Sequence, residues 1–184
     1  MRGTERASVV AVSKDEYHRF SKVPCTQITL IKGVGVRGDT HSGVTVQHLF
    51  AVEQDPRQPN LRQVHLLQQE FLDQARDQGY ELTPGDLGEN ILTDDLDLVG
   101  LWQDTLLHIG SQAVVRVSGL RNPCAQIDSF RPGLLQVAVR RDLKGDVVRK
   151  AGIMGVVTTG GVVHPGDEIE VEWPAQPHRR LTAL

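Results

Sequence analysis

Cysteine is scarce in this chain: Cys25 and Cys124 are the two among 184 residues. They form no C-x-x-C pair, so neither a structural zinc site nor a thioredoxin-type dithiol is signalled. No apolar run approaches membrane-spanning length, and the Val9-Val10-Ala11-Val12 run is too short for a signal-peptide core. The expected location is therefore the cytoplasm, with no membrane partner and both thiols reduced. A strongly basic stripe is also missing. Twenty basic and 23 acidic residues are interspersed for a net charge of -3, which argues against a nucleic-acid partner. Fifteen of the basic residues are Arg. Arg is the better fork for phosphate or carboxylate, although genomic base composition produces the same bias. No internal repeat, flavin, haem or iron–sulfur motif is visible.

Aromatics are few, at 4%, whereas 18 Gly and nine Pro interrupt the chain often. That balance suits a β-rich fold with many turns rather than a helical bundle. Residues 7–13 and 27–31 read as strands, and 39–60 as a long loop without helical period. Val64, Leu67, Phe71 and Ala75 recur at helical spacing and Gly79 supplies a stop, so 61–78 reads as a helix whose first residues also suit a strand. Residues 106–109 and 112–118 read as a hairpin across Gly110-Ser111. A second short helix is expected over 132–141, with Leu135, Ala138 and Val139 on its apolar face. Residues 147–158 are strand-rich, and 162–171 read as strand, turn, strand. Residues 174–184 read as a mobile or surface-docked tail. The expected fold is mainly β, a closed or nearly closed barrel with one or two covering helices. One domain is expected over residues 1–173.

Four stretches carry candidate chemistry. Gly33-Val-Gly35-Val-Arg-Gly38 matches G-x-G-x-x-G, and Glu53 lies 20 residues from Gly33. A dinucleotide site needs a helix opening in the glycines, yet Asp39-Thr-His-Ser-Gly-Val comes next, so a tight turn is expected instead. In that continuation Asp39 could orient His41 toward a pocket, as carboxylates do for imidazoles, or simply cap a solvated turn. Gly85-Asp-Leu-Gly88-Glu89-Asn90 interleaves acids with glycines that permit close ligand approach. In extended chain Glu89 and Asn90 face opposite ways, so at most one touches a ligand directly. Finally, Arg121-Asn-Pro-Cys124 places a thiol in a stiff turn near a permanent cation, with Arg131 also within possible reach. A cation favours the thiolate, which serves as nucleophile, persulfide carrier or soft-metal ligand. The competing reading is a packed small hydrophobe, as most free cysteines are; that reading suits Cys25. His65 reads as a core histidine, and His18, His48 and His178 as surface.

Taken in order, GVRGDTHSG, PNLRQVHLL, LTPGDLGENI, LRNPCAQID and RKAGIMGVVTTGGVVHPGDEIEV resemble the MOSC domain. This domain ends the molybdenum-cofactor sulfurases and occurs alone in small bacterial proteins. The resemblance covers about residues 27–171. It implies a β-barrel-like fold and molybdenum-cofactor (molybdopterin) chemistry centred on Cys124, as molybdenum ligand or sulfur carrier. Some stand-alone members are associated with reduction of N-hydroxylated bases or amines, which would be the small-molecule substrates here. On that basis Arg121 supports the thiolate or an anionic group, Asn90 bonds pterin or substrate, and Glu89 orients or supplies protons. Asp39 and His41 line the mouth, with His41 a proton donor. The family's pterin phosphate site, built in the amidoxime-reducing relatives partly from an extra N-terminal domain, does not carry over, and Arg62 is a further candidate for a phosphate contact. A reductase would need an external electron-donor protein. A carrier would need a cysteine desulfurase, because no aminotransferase-like domain with a Schiff-base lysine is present and no pyridoxal phosphate site is expected. A third possibility is a thiol hydrolase or transferase with His41 or His65 as base.

Overall fold

The computed structural model describes residues 7–47 and 49–184; His48, expected at the surface, lies outside them. In chain order the elements begin β1 (Ser8–Lys14), β2 (Val23–Cys25), β3 (Ile28–Ile31), β4 (Gly35–Val36), α1 (Leu49–Gln54), β5 (Val64–Gln68), α2 (Gln69–Asp77) and β6 (Ile91–Asp94). They continue with β7 (Leu106–Ile109), β8 (Ala113–Leu120), α3 (Gln126–Phe130), α4 (Leu134–Ala138) and β9 (Val139–Arg141). The last are β10 (Val147–Arg149), β11 (Ile153–Thr159), β12 (Gly161–Val163) and β13 (Ile169–Glu172). Eight strands form one sheet in the order β13-β7-β8-β11-β5-β6-β1-β2. It curls until its ends approach. Ile169 N donates to Ala7 O at 2.8 Å, Val9 N to Asp167 O at 2.9 Å and Gly166 N to Val9 O at 2.7 Å. Those bonds make a seam between β1 and the start of β13, and the result is the expected mainly β, barrel-like architecture.

Two apolar cores arise from the curl. Inside lie Val9, Val12, Leu66, Ile91, Leu107, Val115 and Ile153 among others. Outside, Leu67, Leu87 and Leu92 of the sheet side pack against Phe71, Ile127, Leu134 and Val137 of the helices. Strand β5 feeds both: Leu66 belongs to the inner core and Leu67 to the outer. A strand buried on both faces loses its apolar–polar alternation, which is why the first part of 61–78 suits both helix and strand. The strand alternative holds for its first part: β5 covers Val64–Gln68, and the helix, α2, starts at Gln69.

Other expectations change in detail. The segment 39–60 contains the one-and-a-half-turn helix α1. Helix α4 stops at Ala138 and buries Leu134, Val137 and Ala138, while Val139 opens the β9–β10 hairpin. The strand, turn, strand expected over 162–171 is present as β12 and β13; β12 pairs with β3 and β13 with β7, so the turn between them carries the chain from one sheet to another. The glycine-rich stretch forms the β3–β4 connection and β4 itself, and no helix opens in it. Residues 174–184 are docked, held by bonds that include Leu120 N to Thr182 O at 2.8 Å. No helix of the described residues is long and apolar enough to cross a membrane.

Candidate functional site

The β8–α3 connection carries Cys124 and is fixed at both ends. Arg121 N donates to Gly152 O at 3.0 Å, and Cys124 O accepts from Ile127 N at 3.0 Å as α3 begins. Ile127 is fully buried and anchors that helix. Cys124 itself is exposed, and its Sγ faces Gln126 Oε1 at 3.5 Å. Among the described residues no histidine hydrogen-bonds this thiol, so the general base that a hydrolase requires is missing from the thiol's own contacts.

Cys124 opens onto a cavity of about 780 Å³, a size typical of small-molecule sites. Arg19, Lys22, Arg62 and Arg121 line it together with His18, His41 and His65, and among the described residues no Asp or Glu does. Phe20, Leu87, Leu120 and Met154 add apolar wall. The cavity is thus basic and half-greasy, suited to an anion with an apolar body.

Arg121 is the most constrained of these cations. Its Nη1 is buried without a hydrogen-bond partner, and its guanidinium lies over Phe20 at 5.8 Å. Burial pulls its pKa down, while the neighbouring charges of Cys124 and Glu89 push the other way. An orphaned buried donor is costly and marks a place where a ligand atom or ion fits. Arg62 has its own pKa lowered by burial and no acid paired with it among the described residues.

Asp39 does not line the cavity but organises its wall. Its Oδ2 accepts from Lys22 Nζ, from Asn90 Nδ2 at 3.0 Å and from the Asp15 amide at 3.3 Å. Its Oδ1 accepts from the His41 amide at 2.9 Å. Burial would raise its pKa, but the His41 bonds and the Lys22 charge outweigh that and hold it well below the carboxylate range. Lys22 is drawn down by burial in turn, against the pull of Asp39. His41 Nδ1 lies 3.4 Å from both Asp39 Oδ1 and Lys22 Nζ, so either tautomer finds a partner at that nitrogen. Beyond it, His18 Nδ1 sits 2.9 Å from Thr40 Oγ1.

The Glu89-Asn90 pair is buried, and the two side chains take different tasks. Both Asn90 amide hydrogens are engaged, one with Ser13 O at 3.1 Å and one with Asp39, and its Oδ1 accepts from the His65 amide at 3.1 Å. Asn90 therefore ties β1, β5 and the Asp39 turn together, with little left for a ligand. Glu89 sits below the wall: Oε1 accepts from Gly85 N at 2.5 Å and Oε2 is buried with no partner. Burial raises its pKa to about 7 against the opposing Gly85 bond and Arg121 charge. His65 is a core histidine whose Nε2 donates to Ala151 O at 2.8 Å; burial, then Arg121, lowers it to about 3, so it is neutral.

Gly85 makes this arrangement possible. Its φ is +88°, and a Cβ there would lie 2.3 Å from Lys22 O. Gly85→Ala should cost at least about 2 kcal/mol, from strained backbone plus that clash, read as a lower urea midpoint. An unchanged midpoint would contradict this packing.

Of the sequence candidates, Cys124, Arg121, His41, Arg62 and Asn90 share the cavity wall, while Asp39 and Glu89 support it from behind. Sequence reasoning missed Lys22, 17 residues from Asp39 with no shared motif. It also missed Leu184, in a tail with no periodic signal. Arg131 stacks on Phe130 at 4.9 Å instead of reaching Cys124.

The same architecture recurs in solved structures. The YUAD protein from Bacillus subtilis is 24% identical at TM-score 0.73, covering 92% of this chain and 97% of that one. YiiM from Geobacillus stearothermophilus is 16% identical at TM-score 0.63, covering 95% and 79%. YiiM from Escherichia coli is 18% identical at TM-score 0.60, covering 94% and 73%. At these identities the likeness is one of fold. A comparison with curated proteins finds no match. The family model of the MOSC domain matches residues 45–170, which take in the cavity's Asn90, Arg121 and Cys124. With more than half of its length matched, the chain belongs to the MOSC domain family.

Proposed function

We propose that this protein binds the molybdenum cofactor through Cys124 and reduces N-hydroxylated bases or amines. The observation that carries the reading is an exposed thiol on a basic cavity beside the buried, unpartnered Nη1 of Arg121. The residues fit the group. A thiolate is a soft ligand suited to a transition metal, and the cations suit a phosphate or another anionic oxygen of the pterin. Cys124 would hold the metal, and Arg121 and Arg62 would hold the anion. When bound, the cofactor supplies the two electrons that N–O reduction consumes, replenished by an external electron-donor protein.

The chain's own part is binding and proton delivery. Asp39 and Lys22 hold His41 from behind, and His41 gives a proton to the departing oxygen from the cavity wall. Asn90 and Glu89 act as positioning residues, the first fixing the Asp39 turn and the second the Gly85 turn under Arg121. In this reading residues 1–173 act as a single domain.

A second reading is favoured by one feature, the openness of Cys124, whose single hydrogen-bond partner among the described residues is Gln126. Cys124 would accept a sulfane sulfur from a cysteine desulfurase and pass it to a metal centre. Both readings are tested on protein from a host that makes the cofactor, by bound molybdenum and pterin in wild type and Cys124→Ser. Metal lost in the variant supports the first reading. Metal-free wild type carrying a persulfide supports the second.

A further inference from the structure

Residues 178–184 form a strap along the end of β8. Gln103 N donates to Arg179 O at 2.9 Å, Leu120 N to Thr182 O at 2.8 Å and Leu184 N to Leu120 O at 3.2 Å. The strap is latched at its start. Asp104 Oδ2 accepts from Arg179 Nη2 at 2.5 Å while Oδ1 holds Arg116 at 2.6 Å, and His178 stacks on Trp102 at 5.3 Å.

At its far end the strap enters the cavity. Leu184 lines the wall beside Leu120, one residue before Arg121. The groove that admits it is Gly119: a Cβ there would sit 2.7 Å from Leu184 Cγ and 2.8 Å from Thr182 O. The three heavy atoms nearest to that position all belong to the strap, so the missing side chain makes room for the strap and not for the barrel core. Backbone bonds hold the segment, and Leu184 is the strap residue that lines the ligand space.

We propose that Leu184, carried by this strap, is a specificity-determining residue that limits the size of the ligand body the cavity accepts. The lining sets the ligand class: an anionic head for Arg62 and Arg121, with a flat apolar body against Leu87, Leu120 and Met154. The inference needs the cavity to be a ligand site but does not depend on molybdenum chemistry.

The test is calorimetric titration of the metal-free full chain with benzene-, naphthalene- and pyrenesulfonate. These share one anionic head and differ in body size. Leu184→Ala should bind pyrenesulfonate about tenfold more tightly, within the range that one or two methylenes of fit decide in an apolar pocket. Its affinity for benzenesulfonate should stay level or fall. Gly119→Ala, which pushes the strap from its groove, should shift selectivity the same way and expose the Leu120 amide to hydrogen exchange. An equal change across all three probes overturns the proposal, as does wild type that binds none of them. If the molybdenum measurement fails while the size shift is found, the functional reading falls and this one stands.

Discussion

Asp39→Ala is expected to lower folding stability by about 3–5 kcal/mol, the usual cost of removing one partner from a buried ion pair. Lys22 and Asp39 are both buried, with side-chain exposures of 4% and 1%. Their mutual attraction offsets a large desolvation penalty only while both are present. Remove the carboxylate and the Lys22 ammonium stays in a poorly solvated place. Asp15 and Glu89 lend it some negative charge, but the acid that hydrogen-bonds it is Asp39. Asn90 loses an acceptor at the same time, and the His41 amide loses another. Urea unfolding should show the drop. A Lys22→Met, Asp39→Ala double variant should recover part of it, because no charge is then stranded. A single Asp39→Ala variant within about 1 kcal/mol of wild type, where ordinary surface substitutions fall, would contradict the role of Asp39 as a hub.

Glu89 should leave a pH signature of similar size. Its pKa rises from 4.5 to about 7 on folding, chiefly through burial. Below the unfolded value both states hold the proton, and the stabilising contribution is complete. As pH rises toward the folded value the unfolded chain ionises first, so stability falls across that window and levels off above it. Glu89→Gln keeps the acceptor for Gly85 N and removes the ionisation. The variant should therefore match wild type near pH 4 and exceed it by about 3 kcal/mol near pH 8, the equivalent of that pKa displacement. His65 works in the opposite sense. Its pKa falls from 6.5 to about 3 on folding, so its contribution grows as pH rises between those values. That term is common to both proteins and cancels in the difference. A difference between variant and wild type that stays flat from about pH 5 to pH 8 would show that Glu89 is ionised in the fold like any surface acid.

These two residues also mark the boundary of what sequence reasoning reached. The β7–β8 hairpin was legible because Gly110-Ser111 interrupts two β-rich runs, and the register bears it out. The absence of a dinucleotide fold was legible too, because the glycines run into Asp39-Thr-His-Ser-Gly-Val and not into a helical pattern. Strand β5 was legible only as an alternative to helix, because burial on both faces erases the period that distinguishes the two. The turn glycines and the acid–amide pair marked Glu89 and Asn90 as special, and both prove buried. What the motif could not tell is that Asn90's amide is spent on Ser13 O, Asp39 and the His65 amide. Such long-range pairings leave no local trace. Lys22 is the clearest case: a lysine before Val-Pro carries no sign that its ammonium will be buried against Asp39. The tail had only composition to speak for it, and its docking depends on a groove at Gly119 that composition does not encode.

Cys124 is where these lines meet, on a basic cavity beside an arginine with an unused buried donor. The deciding measurement is the molybdenum content of wild type and Cys124→Ser, both purified from a cofactor-producing host and quantified with the released pterin. We expect about one metal and one pterin per wild-type chain, as for a single thiolate-anchored site, and metal lost from the variant while its melting temperature holds. A Cys124→Ser protein that keeps its metal and reduces N-hydroxylated substrates at the wild-type rate would contradict that assignment.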